Sequence, residues 1–177
     1  MEREAVRRPG NIFLVGMMCA GKSTVGRQLA RRLGKAFFDT DHEIQKRTGV
    51  SIPTIFEIEG EPGFRRRESA VLAELAALDD AVLATGGGIV LAAGNRRLLR
   101  ERGTVVYLRA AVDDLFARTR HDRNRPLLQT EDPRGKLAEL FAARDPLYRE
   151  VADIIIDTSR QSVQTLVRQL EKQLPRA

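Results

Sequence analysis

Short apolar stretches rich in β-branched residues alternate along the chain with longer stretches of amphipathic pattern. The apolar stretches have the length of buried strands, and the amphipathic stretches have the period of helices. Because strands that alternate with helices form parallel sheets covered on both faces, the pattern predicts a three-layer α/β fold. The predicted strands are Asn11–Val15, Ala36–Asp39, Ala81–Thr85, Thr104–Arg109 and Asp153–Asp157, and the predicted helices are Lys22–Leu33, Pro62–Leu78, Asn95–Glu101, Val112–Arg120, Gly135–Glu150 and Ser162–Leu174.

Two segments interrupt this alternation. Thr40–Gly63 carries short helical pieces between the second strand and the next long helix, and His121–Arg134 is polar, charged and contains two prolines. An insertion of the second kind on an α/β core is typical of a mobile lid. Residues 1–10 are expected to form a flexible tail. We find no repeat and no linker, so residues 1–177 are predicted to form a single domain.

Composition narrows the class of protein. The chain has 177 residues, of which 42% are hydrophobic and 31% are charged, as in soluble globular proteins. No apolar run approaches the roughly 20 residues that span a bilayer, and the charged start lacks an apolar signal core. One cysteine fits a reducing compartment. We therefore expect a cytoplasmic protein that does not act on a membrane.

The net charge of +6 has two interpretations. A basic balance is typical of nucleic-acid binding, but arginine also makes forked contacts to phosphate and carboxylate groups. With no tryptophan and only two tyrosines, the chain offers little for stacking on bases. We expect no nucleic-acid partner.

The stretch GMMCAGKS, from Gly16 to Ser23, follows an apolar strand and opens an amphipathic helix. It matches the phosphate-binding loop G-x-x-x-x-G-K-[ST], whose backbone N–H groups point at a polyphosphate. Lys22 is expected to reach the β- and γ-phosphates, and the Ser23 hydroxyl is expected to bind Mg²⁺. The sequence therefore predicts an ATP site that includes Cys19, Ala20, Gly21, Lys22, Ser23 and Thr24.

Cys19 occupies a loop position where a glycine or another small residue would be expected. One interpretation is a tolerated side chain that points away from the nucleotide. The other is a reactive thiol, because a helix N-terminus favours the thiolate.

The second predicted strand ends in FFDTD, next to the crevice where open α/β sheets bind ligands. If the chain is extended there, Asp39 and Asp41 point the same way, and one can serve a metal while the other serves an acceptor hydroxyl. The alternative is that Asp41 caps the helix that begins at His42. The sequence alone leaves both open.

Two further motifs precede and follow the third strand. In GFRRRES, the three arginines Arg65, Arg66 and Arg67 cannot share one helix face, so only one or two point at a site. In LATGGGIVL, Gly86, Gly87 and Gly88 allow the backbone to approach a ligand closely, or else form a plain flexible turn.

Taken together and in order, GMMCAGKST, DTD, GFRRRE, GGG, RPLL and RDPLY resemble the shikimate kinase family over nearly the whole chain. The resemblance implies a nucleoside-monophosphate-kinase-like fold with a five-stranded parallel sheet in the order 2-3-1-4-5. It also implies transfer of the γ-phosphoryl group of ATP to the 3-hydroxyl of shikimate, with Mg²⁺, in the route to chorismate and the aromatic amino acids.

The resemblance assigns roles to individual residues. Asp41 would hold the shikimate hydroxyls, and Asp39 would support the metal together with Ser23. Lys22, Asp41 and Arg125 form the catalytic set, and Arg125 would move in on the lid. The substrate would be bound by Asp41, Arg65, Gly86, Gly87, Gly88 and Arg144, and the adenine would be lined by Arg118 and by Arg160 or Gln161. Residues 42–63 would form the substrate-binding segment, and the chain is expected to be a monomer.

Two other functions remain open at this point. A small kinase of the same scaffold could act on gluconate or a nucleoside monophosphate, and a nucleotide-binding regulator could use the loop as a switch. The region 51–68 offers only Phe56 and Phe64 for stacking a base, which disfavours a nucleotide acceptor. His42 and His121 are expected to be exposed rather than catalytic.

Overall fold

Five parallel strands form one sheet in the order β2-β3-β1-β4-β5, as the resemblance implies. A computed structural model of the chain describes residues 10–119 and 128–175. The strands are β1 Asn11–Val15, β2 Ala36–Asp39, β3 Ala81–Ala84, β4 Gly103–Arg109 and β5 Ile154–Asp157. The first two strands coincide with their predicted bounds, and the other three differ by one residue.

Seven helices of the described residues accompany the sheet. They are α1 Lys22–Leu33, α2 Thr40–Thr48, α3 Ile52–Ala76, α4 Ala93–Arg102, α5 Val112–Thr119, α6 Pro133–Val151 and α7 Val163–Gln173, with a 3₁₀ turn at Ile89–Leu91. α1 has its predicted bounds because glycines flank it, and both Gly21 and Gly34 adopt left-handed backbone conformations. The 3₁₀ turn was not predicted.

The span α3 consists of two helices that meet at Gly60. The first begins at Ile52, where the Ser51 hydroxyl accepts the N–H of Thr54 as an N-cap. Gly60 takes φ 70° and ψ 177°, which is not helical, and the second helix follows it with Pro62 in its first turn, as predicted. The short helical pieces predicted between Thr40 and Gly63 are α2 and the first of these two helices. The segment 42–63 is thus most of α2 and the first half of α3.

The core lies around the central strands. Every residue of β1 and β3 is buried, including Phe13 and Leu14 at 0% exposure. Such continuous apolar strands are expected where helices cover both faces of a parallel sheet. Two groups of helices flank the sheet: α1 with α7, and α3, α4 and α6.

The sheet brings the predicted motifs to one edge. β1 pairs with β3 on one side and with β4 on the other, so the chain builds β2 and β3 on one side of β1 and then crosses to build β4 and β5 on the other. At such a switch point the strand ends leave a crevice for ligands. Gly16 follows β1, Asp39 ends β2 and Gly86 lies two residues beyond β3, all at this edge.

Several predictions lie outside the described residues: the tail 1–9, the lid residues 121–127, and Arg125 and His121 within that lid. Within residues 10–119 and 128–175, no helix combines the length and apolar character that a membrane crossing requires.

Candidate active site

The phosphate-binding loop closes tightly between β1 and α1. Gly16 has φ 147°, and a Cβ placed there would lie 2.5 Å from the carbonyl oxygen of Leu108, so only glycine fits against β4. Lys22 is only 9% exposed, and its Nζ donates to the carbonyl oxygens of Gly16 at 2.5 Å and Met17 at 2.9 Å. The lysine charge is therefore held inside the loop, above the N-terminus of α1, where an anion is favoured.

Cys19 adopts φ 61°, a left-handed conformation that is uncommon outside glycine. Its side chain is half-buried and lines the cleft, while its carbonyl oxygen accepts a hydrogen bond from Arg118 Nη1 at 3.1 Å. The backbone conformation explains why glycine would be expected at this position.

Ser23 and Asp39 meet at the floor of the loop, where the Ser23 hydroxyl donates to Asp39 Oδ2. Both residues line a cleft of about 480 Å³. A hydroxyl and a carboxylate are oxygen ligands of the type that Mg²⁺ takes when substrate phosphates complete its shell. The pair therefore fits Mg²⁺ held jointly with a nucleotide. Among the described residues, no group of three or more His, Cys, Asp or Glu is placed to hold a metal ion.

Two details of the DTD motif differ from the sequence argument. The chain is extended only to Asp39, and Asp41 already belongs to α2, so their common direction does not come from an extended strand. The cap of α2 is Asp39, whose Oδ1 accepts the N–H of His42 at 3.1 Å, and not Asp41. Both aspartates nevertheless line the cleft.

The glycine loop 86–88 contacts the predicted acceptor residues one after another. A Cβ at Gly86 would lie 2.9 Å from Asp41 Oδ1, and one at Gly87 would lie 3.4 Å from Arg144 Nη1. One at Gly88 would lie within 2.2–2.5 Å of the Arg65 guanidinium. At Gly86 and Gly88 these side chains occupy the space that a Cβ would need, whereas at Gly87 the distance is that of an ordinary contact.

Arg65 is held in place by two acids of its own helix. Its Nη1 donates to Glu68 Oε1 at 3.0 Å, and its Nε and Nη2 donate to Glu61 Oε1 at 3.3 and 3.2 Å. By contrast, Arg66 is exposed and Arg67 pairs with Glu59. This geometry agrees with the expectation that only one or two of the three arginines point at a site.

Glu68 is a buried acid that the sequence argument did not select. It is 1% exposed, and a Cβ at Gly86 would lie 2.7 Å from its Oε2, next to Asp41. Burial raises the pKa of Glu68, as does repulsion from Asp41, whereas the charge of Arg65 opposes the rise. Its position three residues after Arg65 in GFRRRE was the available signal.

Arg144 is 3% exposed, which is unusual for an arginine. It lies in α6, one helical turn before Tyr148, which is also fully buried. The Tyr148 hydroxyl donates to the Gly87 carbonyl oxygen at 2.5 Å. Neither Tyr148 nor Thr40, whose Oγ1 accepts the Gly86 N–H at 3.0 Å, was selected from the sequence.

The cleft lining includes most of the predicted residues and some others. The predicted residues are Cys19, Gly21, Lys22, Ser23, Thr24, Asp39, Asp41, Gly86 and Gly87, and the additional ones are Met18, His42, Gln45, Ile52 and Thr85. Ala20 is buried and is not part of the lining. Three predicted substrate-binding residues, Arg65, Gly88 and Arg144, are not among the lining residues either. The same holds for Arg118, Arg160 and Gln161, although Arg118 contacts the phosphate-binding loop through Cys19. Gln161 Nε2 donates to the Asp157 carbonyl oxygen, beyond the end of β5.

Comparison with known proteins places the chain among shikimate kinases. The family model described as shikimate kinase matches residues 18–175. The shikimate kinase of Nitrosospira multiformis is 64% identical over 93% of this chain and 85% of its own length. That of Chromobacterium violaceum is 63% identical over 93% of this chain and 90% of its own length.

Solved structures agree with this placement. The shikimate kinase of Acinetobacter baumannii in complex with shikimate has a TM-score of 0.90 and 51% identity, covering 96% of this chain and 97% of its own. A gluconokinase from Sinorhizobium meliloti shares only the fold, with a TM-score of 0.55 and 20% identity over 92% of this chain and 90% of its own. On its sequence, its sheet order and the residues gathered at its cleft, the chain belongs to the shikimate kinase family.

Proposed function

We propose that this chain transfers the γ-phosphoryl group of ATP to the 3-hydroxyl of shikimate, giving shikimate 3-phosphate and ADP. The step belongs to chorismate and aromatic amino acid biosynthesis. The observation that carries the proposal is the glycine loop, which adjoins Asp41, Arg144 and Arg65 in turn beside the phosphate-binding loop. The A. baumannii relative solved with shikimate supports the choice of acceptor.

On the nucleotide side, the chain supplies positioning and positive charge. The loop amides and the N-terminus of α1 cradle the phosphates, and Lys22 neutralises the charge on the transferring group. Phosphoryl transfer has a loose transition state with charge on the phosphoryl oxygens, so such groups supply most of the catalysis.

Ser23 and Asp39 would hold Mg²⁺ between them and the nucleotide. The ion would supply positive charge that neutralises the charge developing on the phosphoryl oxygens. The hydrogen bond from Ser23 to Asp39 keeps both oxygens at one place on the floor of the cleft. Asp39 is in turn oriented because it caps α2 through His42.

On the acceptor side, Arg65 and Arg144 would bind the carboxylate of shikimate. Arginine suits this task because its planar fork matches a carboxylate with two parallel hydrogen bonds. Asp41 would orient the 3-hydroxyl and accept its proton. Gly87 would contact the ring hydroxyls through its backbone, which the absence of a Cβ permits.

Arg125 and the lid are part of the proposal, although they lie outside the described residues. Arg125 would reach the transferring phosphate when the lid closes. Closure excludes water and so limits hydrolysis of ATP. Arg118, with Arg160 or Gln161, would line the adenine.

A coupled assay of ADP release with shikimate, gluconate and a nucleoside monophosphate as acceptors tests the function. We expect release only with shikimate. Release with gluconate instead would favour the alternative kinase, and tight ATP binding with no acceptor-dependent release would favour a nucleotide-binding regulator.

Arg65→Met, with Arg66→Met as its matched control, tests the carboxylate contact. The two residues are neighbours on α3, but only Arg65 lies against the glycine loop. Losing a charged partner in a closed site costs about 2–5 kcal/mol, so kcat/KM for shikimate should fall by about 30-fold or more in Arg65→Met. Arg66→Met should behave as the wild type, and equal losses in both variants would contradict the assignment.

Asp41→Asn tests the role of the carboxylate at the acceptor hydroxyl. General-base groups contribute about 10²–10⁴-fold, so kcat should fall by about 100-fold or more while ATP binding is retained. Wild-type turnover in the variant would refute the role.

The proposal also covers the oligomeric state, the cellular location and the partners of the enzyme. We propose a cytoplasmic monomer that works without nucleic acid or membrane. Sedimentation equilibrium of the purified chain tests the monomer, and fractionation of cells that express it tests the location.

A further inference from the structure

Two buried hydroxyl groups, from residues that are far apart in the sequence, hold the glycine loop. Thr40 Oγ1 accepts the N–H of Gly86 at 3.0 Å, and the Tyr148 hydroxyl donates to the carbonyl oxygen of Gly87 at 2.5 Å. Both Thr40 and Tyr148 are 0% exposed. Thr40 is the middle residue of DTD, and Tyr148 is the last residue of RDPLY.

A run of three glycines needs such anchors. Glycine has no side chain that restricts the backbone, so its conformation is set by hydrogen bonds and by what surrounds it. The peptide between Gly87 and Gly88 is planar, and its C=O and N–H point in opposite directions. Fixing the Gly87 carbonyl on Tyr148 therefore also fixes the direction of the Gly88 N–H.

The tyrosine anchor is strong because it is buried and stays protonated. Burial raises the pKa of the Tyr148 hydroxyl, so it remains a donor across the physiological range. Arg144 acts on the Tyr148 hydroxyl as a hydrogen-bond donor and opposes the rise in its pKa, and Met17 Sδ at 3.8 Å is a weak acceptor, so the hydroxyl proton goes to the Gly87 carbonyl. Without Tyr148, that half-buried carbonyl would lose its donor.

The anchors lie beside the residues that face the acceptor. Tyr148 follows Arg144 by four residues on α6, so both lie on one helix face. Tyr148 bonds the Gly87 carbonyl, and Arg144 Nη1 lies 3.4 Å from the position that a Cβ of Gly87 would take. Thr40 directly precedes Asp41 in α2, whose Oδ1 lies next to Gly86. Each anchor thus fixes the loop relative to one residue of the acceptor site.

We infer that Thr40 and Tyr148 are positioning residues for the acceptor: their hydroxyls hold the loop 86–88 in the conformation that binds shikimate. This inference rests on the proposed function, and it extends it to residues that touch neither substrate. It requires that the anchors govern the KM for shikimate and leave the KM for ATP unchanged.

Tyr148→Phe, with Tyr107→Phe as its matched control, provides the test. The rings of Tyr107 and Tyr148 pack 4.9 Å apart and both side chains are 0% exposed, but the Tyr107 hydroxyl donates to Asp145 at 2.6 Å and not to the loop. The loss of one hydrogen bond corresponds to about a fivefold loss, so the shikimate KM should rise about fivefold in Tyr148→Phe. The ATP KM of Tyr148→Phe, and the shikimate KM of Tyr107→Phe, should stay within about twofold of the wild type.

Three results would overturn the inference. They are an unchanged shikimate KM in Tyr148→Phe, an equal rise in the ATP KM, and an equal rise of the shikimate KM in Tyr107→Phe. If Tyr148→Phe does not fold, Thr40→Val removes the other anchor with little change of shape. Thr40→Val should raise the shikimate KM, whereas Thr40→Ser, which keeps the hydroxyl, should have a shikimate KM close to that of the wild type. Equal shikimate KM values in these two variants would also overturn the inference.

Amide hydrogen exchange separates this inference from the proposed function. In Tyr148→Phe, the amides of residues 86–88 should exchange faster than in the wild type, while those of β1 and β3 should not. This result is expected whatever the acceptor is, and unchanged exchange in the loop would refute the anchoring. A wild type that releases no ADP with shikimate would refute the proposed function instead.

Discussion

Asn11 joins three segments of the fold, and its removal should be costly. This first residue of β1 is 1% exposed. Its Nδ2 donates to the carbonyl oxygens of Leu78 at 2.7 Å and Ala76 at 3.3 Å, and its Oδ1 accepts the N–H of Ala81 at 2.9 Å. One side chain therefore ties the end of α3 and the start of β3 to the start of β1.

The expected loss in Asn11→Ala follows from these bonds. The bonds to Leu78 and Ala81 have good geometry, and each contributes about 1 kcal/mol, whereas the bond to Ala76 is long and contributes less. The buried N–H of Ala81 is left without its acceptor, which costs about 1–3 kcal/mol in place of the bond it loses. The free energy of unfolding should fall by about 3 kcal/mol.

Asn95→Ala is the matched control. Asn95 is 6% exposed, and its side chain makes one hydrogen bond, from Nδ2 to the carbonyl oxygen of Ile89 at 3.0 Å. The two substitutions remove the same atoms, so their difference isolates the additional bonds. Asn95→Ala should lower the free energy of unfolding by about 1 kcal/mol.

Urea denaturation followed by circular dichroism measures both losses. The transition midpoint of Asn11→Ala should lie below that of Asn95→Ala, which in turn should lie below the wild type, with unchanged m-values. If Asn11→Ala lowers the free energy of unfolding no more than Asn95→Ala does, the number of hydrogen bonds that an asparagine makes does not determine its contribution to stability, and the prediction is refuted.

Two further predictions concern the acceptor site. Because burial raises the pKa of Glu68 above its ordinary value of 4.5, its ionisation opposes folding, so this residue makes stability fall as the pH rises from about 4.5 through the raised folded pKa. In Glu68→Gln, the decrease in the free energy of unfolding that Glu68 causes with rising pH should vanish. Urea denaturation from pH 4 to 8 measures the free energy of unfolding, and the same pH dependence in the variant and the wild type would contradict the assignment. Gly88→Ala should displace the Arg65 guanidinium, which lies within 2.2–2.5 Å of the new Cβ, and so raise the shikimate KM by about tenfold or more in the ADP-release assay. Gly94→Ala, where a Cβ meets nothing within 4 Å, is its control, and equal KM values in the two variants would refute the prediction.

The local pattern of residues was sufficient to predict an element where the residues on either side of it mark its start and its end. β1, β2 and α1 were predicted with their observed bounds, because apolar runs there are bounded by glycine or by polar residues. The phosphate-binding loop was equally predictable, since its backbone conformation is determined by glycines and a lysine within eight residues. The identity of the family followed from the order of short motifs along the chain.

The span α3 shows a boundary that local pattern gave only in part. Pro62 is a typical first-turn residue of a helix, and it lies in the first turn of the helix that follows Gly60. The helix before Gly60 begins after Ser51, an N-cap with a proline at the second helical position, and the prediction gave no bounds for it although this signal was present in the sequence. Gly60 separates the two helices because glycine accepts the non-helical conformation with positive φ that the break requires.

The acceptor site was decided by contacts between residues far apart in the chain. Glu68 is buried only because the glycine loop, Asp41 and Arg65 close around it, and its charge gives no sign of this in sequence. Tyr148 reaches the loop from 61 residues away, and a tyrosine at that position reads equally well as a core residue. The sequence by itself therefore determined the strands and the phosphate-binding loop, because their signals are local, and the order of its motifs determined the family and with it the order of the sheet. Only the tertiary structure decided which polar side chains are buried together against the glycines, because burial and hydrogen bonding across the core depend on how the helices pack.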